Sequence, residues 1–222
     1  MTETLLEEPT TTAAPFASTL ADVLVRLKDF PPERIRWNPT PGTATEEDLL
    51  AERDSLVELI DSTLVEKAMG VRSAFMATYL GYFLSAFIID RKLGKLLGAD
   101  MIGRTGPNQL RLPDLSYYSK SRWNGSWKKL PNIMPVMPEL AVEVLSDGNT
   151  KGEMQRKRKE YFAAGCLLVW IVDPLKETVH VCTAPEMGNL LERSDTLDGG
   201  TVLPGFTLPL ETLFADDEDS AI

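Results

Sequence analysis

The 222-residue chain is poor in the residues that most hydrolases and metal modules rely on: it has one histidine, His180, and two cysteines, Cys166 and Cys182. A HExxH metalloprotease needs two histidines on one helix, and a Cys-rich zinc module or a disulfide-stapled secreted domain needs more thiols, so all three are excluded. A Ser-His-Asp hydrolase would have to use His180. The N-terminus is acidic and Thr-rich, with no basic region leading into an apolar stretch, so no signal peptide is expected and the cytoplasm is the expected compartment. Long apolar runs are also scarce. Residues 73–89 form one uncharged stretch of 17 residues, at the lower limit for a membrane span. The stretch contains Ser73, Thr78, Tyr79, Gly81 and Tyr82 and is bracketed by Arg72, Asp90, Arg91 and Lys92, so it reads as a buried core helix with no membrane association. What remains is chemistry by carboxylates, lysine, hard metals or bound cofactors.

The net charge is −10, but it is unevenly placed. Glu3, Glu7 and Glu8 at one end and Asp216, Asp217, Glu218 and Asp219 at the other hold most of it. These ends read as a flexible acidic arm (1–16) and an acidic tail (216–222) around a single domain, 17–215. Between Arg104 and Lys159 bases outnumber acids, which suits a phosphate-bearing ligand but falls short of the footprint of a tight non-specific nucleic-acid binder.

Capping residues and apolar spacing predict short helices over 18–28 and from Thr45 onward, then two strands within 56–69 joined by a turn at Asp61 and Ser62. A long helix over 71–93 follows. The segments 95–101, 108–112 and 114–118, punctuated by Gly and Pro, suggest a meander. The run from Leu140 to Val172 is the most informative. LAVEVL reads as a buried strand, Thr150 with Glu153 as a capping box, KGEMQRKRKEYFAA as a helix ended by Gly165, and LLVWIV as a second buried strand. Such a crossover makes its two strands parallel, and the strand TVHVC should return antiparallel.

Glu143 shares one face of LAVEVL with Ala141 and Leu145, and a carboxylate in a buried strand must be paired, protonated or bound to a cation. On the following helix, the 100° spacing places Lys157 on the inner half with Tyr161 and Ala164, while Arg156, Lys159 and Glu160 point outward. Helical side chains lean toward the N-terminus, so Lys157 leans back toward the strand end that carries Glu143. Asp114, after Pro113, is a third candidate. Two acids and a lysine would suit phosphodiester hydrolysis with a hard metal. Spacing alone leaves open the plainer reading, a buried Glu143–Lys157 ion pair with Asp114 as a turn acid.

The segments PDLSYYSKSRW, PELAVEVLSDGNTKGEMQRKRKEYFAAGCLLVWIVDPLKETVHVCT and DTLDGGTVLPGFTLPL, with LVEKAMG upstream, closely resemble the Uma-type family of restriction-endonuclease-like proteins in the PD-(D/E)xK nuclease superfamily. The resemblance runs from about Thr45 to Phe214. It implies an α/β fold, a mixed β-sheet flanked by helices with the βαβ crossover carrying the site. It also implies a Mg²⁺- or Mn²⁺-dependent DNA endonuclease with Asp114 and Glu143 as metal ligands. The usual lysine two residues after the glutamate is replaced by Leu145, and the matching lysine is Lys157 on the helix. Glu66 of LVEK matches a further acidic position, an auxiliary acid that would complete the metal site or hold a water; the other reading of Glu66 is a strand-end ion pair with Lys67 or a neighbour. DNA is then the implied substrate. A homodimer is expected from the resemblance and from the apolar, aromatic long helix and the SRWNGSWKKL loop. The other reading is a non-catalytic module that keeps the fold to bind nucleic acid or protein. In the loop, Trp123 and Trp127 could stack on bases or pack on the core. Gln155 reads as a flanking residue, Tyr161 as a core aromatic, and His180 as structural.

Overall fold

A computed structural model describes residues 19–52, 55–126 and 128–215. The expected acidic arm and tail, and Trp127, lie outside them. Two short helices open the described chain, α1 (Leu20–Arg26) and α2 (Glu46–Ala51), each started by a complete capping box, Thr19 with Asp22 and Thr45 with Asp48. Strands β1 (Val57–Ile60) and β2 (Thr63–Glu66) form the expected hairpin. Its two turn residues, Asp61 and Ser62, both take positive φ (49° and 56°), the twist that suits a two-residue hairpin.

Helix α3 (Val71–Asp90) is followed by β3 (Gly94–Leu97), β4 (Gly103–Gly106), β5 (Gln109–Arg111) and β6 (Leu115–Ser119). These strands do not form a meander. β3 pairs with β6, while the β4–β5 hairpin between them in sequence leaves for a second sheet and pairs with β1. The physical reason is composition: GRTG of β4 has no apolar side chain to bury, and its partner strand instead delivers Arg111 beside Glu58.

The crossover forms as expected, with β7 (Leu140–Val144), α4 (Lys151–Ala163) and β8 (Leu168–Asp173), the two strands parallel. Gly165, with φ of 89°, ends the connection after α4. β9 (Thr178–Ala184) returns antiparallel, then come β10 (Met187–Leu191), the hairpin β11 (Thr196–Asp198) and β12 (Thr207–Pro209), and α5 (Leu210–Leu213). The result is a six-stranded mixed sheet in the order β10-β9-β8-β7-β6-β3 and a four-stranded antiparallel sheet, β2-β1-β5-β4.

One face of the large sheet presents Leu140, Val142, Val144, Trp170 and Val172 to Met76, Leu80, Leu84 and Ile88 of α3, and this is the main core. The opposite face carries Ala141 and Val169, packed with Tyr161 of α4. Strand alternation thus sends Val142 and Val144 into one core and Glu143 to the other side, under α4. α3 is long and apolar enough to cross a membrane, yet one side of it is seated on the sheet; only that side is buried, and its other side is exposed.

Candidate active site

Glu143 sits near the end of β7, 3 % exposed, beside Ile171 of β8. α4 reaches it because Thr150 caps the helix, accepting from the Glu153 N–H at 3.0 Å, and the inner face then presents Met154, Lys157 and Tyr161 in succession. Lys157 lies 3.0 Å from Glu143 Oε2, and the Tyr161 hydroxyl donates to Glu143 Oε1. Tyr161, expected as a core aromatic, is therefore also a partner of the site carboxylate. Glu153 is not the second half of a capping box. Its carboxylate turns away to a two-pronged pair with Arg34, 2.8 Å on each side, and accepts from Asn149.

The lysine has a second partner that the sequence did not single out. Glu58 of β1 is wholly buried, and its Oε1 lies 3.0 Å from Lys157 Nζ. Glu58 also accepts from Leu112 N at 3.1 Å and pairs with Arg111 at 2.7 Å. The signal was present as an acid inside the apolar strand VELI, the same pattern that marked Glu143.

Burial works against ionisation of Glu58, but Lys157, Arg111 and Lys67 outweigh it and hold the carboxyl down at about 2. Glu143 goes the other way: burial pushes it up, Asp114 and Glu58 add to this, and Lys157 and Lys67 only partly offset it. Burial lowers the affinity of Lys157 for its proton, yet Glu143 and Glu58 together raise it, so the lysine stays charged.

Asp114 enters from the connection between β5 and β6. Its N–H bonds to the Val142 carbonyl at 2.9 Å, and its Oδ2 accepts from Val144 N at 2.6 Å, which pins the carboxylate next to the Glu143 strand end. Its Oδ1 lies 2.8 Å from Lys67. Asp114 and Lys67 open onto a cavity of about 420 Å³ between β6 and α3, which Gly70 and Ser73 also line.

Asp114, Glu143 and Lys157 are thus brought together, and Glu66 is not. Along β2 the hairpin register places Val65 opposite Glu58 and Glu66 opposite Val57, so Glu66 projects from the other face. It is about half exposed and pairs with Arg36 at 2.9 Å. The neighbouring Lys67, one residue on, points into the site in its place. Arg156 and Glu160 also differ from the expected outward orientation, because the second sheet covers that flank of α4. Arg156 pairs with Asp61 and Glu160, and Glu160 with the fully buried Arg111. Charges therefore alternate from Asp61 through Arg156, Glu160, Arg111, Glu58 and Lys157 to Glu143.

In the SRWNGSWKKL loop, Trp123 packs with Met101, Tyr118 and Met134, and Arg122 donates to the Met137 and Gly165 carbonyls. Lys128 and Lys129 are exposed. Gln155 and His180 line a separate groove beside α4, and burial with the nearby Arg158 lowers the His180 pKa. Both cysteines are buried and unpaired.

Among the described residues no three histidine, cysteine or acidic side chains form a ready-made metal cage. The donors at the strand end are nevertheless hard oxygens, and three carboxylates, Asp114, Glu143 and Glu58, face two lysines there. Mg²⁺ asks for one or two carboxylates and keeps waters in its other positions, so Asp114 and Glu143 fit it.

Comparison with known proteins bears on the family and the fold. The Uma2 family model, described as "Putative restriction endonuclease", matches residues 45–211. The fold is similar to that of a solved structure titled as a putative nuclease belonging to DUF820 from Anabaena variabilis, with a TM-score of 0.68 and 17 % identity, covering 76 % of this chain and 96 % of that one. Comparison with curated proteins gives no match.

Proposed function

The chain belongs to the Uma2 family of restriction-endonuclease-like proteins, and from that premise we propose that it is a divalent-metal-dependent DNA endonuclease. The observation that carries this reading is the meeting of Asp114, Glu143 and Lys157, from three separate elements, at the end of β7. Asp114 and Glu143 would hold Mg²⁺ or Mn²⁺. When bound, such an ion neutralises phosphate charge and makes a water acidic enough to attack. Asp114 is anchored by the Val144 N–H and Glu143 by Tyr161 and Lys157, so the two carboxylates are set in place before any ligand arrives. Lys157, with two of its three N–H donors on Glu58 and Glu143, would offset phosphate charge from behind the Glu143 carboxylate. Glu58 takes the auxiliary acidic role that the sequence had suggested for Glu66, acting through Lys157. The unpaired buried thiols suit a reducing cytoplasm.

The test is an assay of the purified protein on supercoiled, linear and single-stranded DNA with Mg²⁺ and with Mn²⁺. Wild type should cleave, and Asp114→Asn and Glu143→Gln should each lose cleavage together with the metal-induced rise in Tm, since an amide balances a dication poorly. Equal metal affinity in wild type and Glu143→Gln would refute the ligand set. A second reading is favoured by one observation, that each carboxylate here already has a protein cation: the cluster is then a structural ion network in a non-catalytic binding module. Metal binding without cleavage of any DNA would support it.

A further inference from the structure

The two lysines of the site are held differently. Lys157 is 1 % exposed and gripped by two carboxylates. Lys67 stands at the cavity, and its ammonium rests on one carboxylate oxygen, Asp114 Oδ1 at 2.8 Å, and one backbone oxygen, the Leu112 carbonyl at 2.6 Å. A carboxylate oxygen beside a neutral carbonyl is a pair of hard donors, the kind a small divalent cation takes. The other oxygen of Asp114, Oδ2, already accepts from the Val144 N–H.

We propose that the Lys67 ammonium is a resident cation on Asp114 that an incoming divalent ion must displace, so that Lys67 sets the metal affinity of the site. The inference rests on the metal-dependent reading above. A second cation on the same carboxylate oxygen repels the ammonium already there, most strongly where water is excluded, so the two compete for it. Lysine can give way: it is a point charge on a flexible four-carbon stem, and the cavity of about 420 Å³ gives it somewhere to go. Lys157, enclosed between β1, β7 and α4, has no such room. Once released, the Lys67 ammonium stays tethered within reach of a phosphate bound at the same mouth.

The experiment is calorimetric titration of Mn²⁺ into wild type, Lys67→Met, Lys67→Gln and Asp114→Asn, with Tm measured with and without the ion. Lys67→Met should bind roughly tenfold more tightly than wild type, the loss of one competing ion pair. Its ion-free Tm should fall while the Mn²⁺-induced rise grows. Lys67→Gln, whose amide can still donate to the Leu112 carbonyl, should show the same tightening and keeps the test intact if the methionine variant folds poorly. Asp114→Asn should lose binding. If wild type binds through Asp114 but both Lys67 variants bind equally or more weakly, the displacement is overturned and the metal site stands. If Asp114→Asn binds as wild type does, or nothing binds, the metal reading falls and this inference with it.

Discussion

Glu58 and Glu143 share one lysine, and their surroundings divide the cost of burial unequally between them. Glu58, with Arg111 and the Leu112 N–H as well as Lys157, is held at about 2 against an ordinary 4.5. A carboxyl depressed in the folded state adds stability that is complete above about pH 4.5 and lost as the pH falls toward 2. Glu143, raised by burial, works in the opposite sense, so protonating it relieves rather than harms the fold. Glu58→Gln should therefore cost about 3 kcal/mol near neutral pH, where it leaves Arg111 and Lys157 short of a buried counter-charge. It should also flatten the acid limb of the stability profile. Guanidinium unfolding from pH 7 down to pH 3 would check this, and an acid limb as steep as in wild type would remove Glu58 as its cause. The candidate site was legible in LAVEVL and in the wheel position of Lys157. Glu58 carried the same signal in a strand of only four residues, too short for one acid to stand out until Lys157 and Arg111 close on it.

At the level of elements, the crossover was readable because each part carries its own punctuation: the Thr150 cap, Gly165 with positive φ, and two strands that are apolar but for Glu143 and the closing Asp173. The pairing of β3 with β6 was not, because it depends on which distant strand offers a complementary edge, and a local pattern cannot say that the β4–β5 hairpin lies in another sheet. The same holds for Arg156 and Glu160, whose outward placement on the wheel ignored a second sheet. Gly94 shows how tight the β3–β6 contact is, since a Cβ there would lie 2.0 Å from the Tyr118 carbonyl oxygen. That oxygen belongs to the strand beginning just after Asp114, so the clash cannot be relieved by turning a side chain. Gly94→Ala should cost about 1–3 kcal/mol. Gly98→Ala, where the nearest atom is the Asp100 carboxylate at 3.9 Å, should stay within about 0.5 kcal/mol. Matched denaturant curves would decide it, and equal effects in the two variants would contradict the strand contact.

For the whole molecule, the question is what covers the outer side of α3. Val71, Phe75, Tyr82 and Ile89 are 91, 60, 65 and 68 % exposed. With Thr78 and Ser85 they follow a four-three-four-three-four spacing, the heptad seam along which one helix packs on another. A second copy of the chain is the proposed occupant. Laid antiparallel about a two-fold at Leu80, the seam maps onto itself: Val71 faces Ile89, the bulky Phe75 faces the small Ser85, Thr78 faces Tyr82, and the exposed Arg72 at one end comes near Asp90 at the other. The middle carries no charge, so two chains of net −10 can meet there without opposing like charges at the contact. Sedimentation should then give twice the 24.6 kDa chain mass at micromolar concentration. Phe75→Glu with Tyr82→Glu should give the single-chain mass and a Tm that no longer rises with protein concentration, while the chain still folds, because both side chains are largely exposed within one chain. Arg72→Glu should weaken the pair, and adding Asp90→Lys should restore it if the helices run antiparallel. A single-chain mass for wild type, or floating of wild type with lipid vesicles in place of pairing, would refute the seam while leaving the carboxylate site untouched.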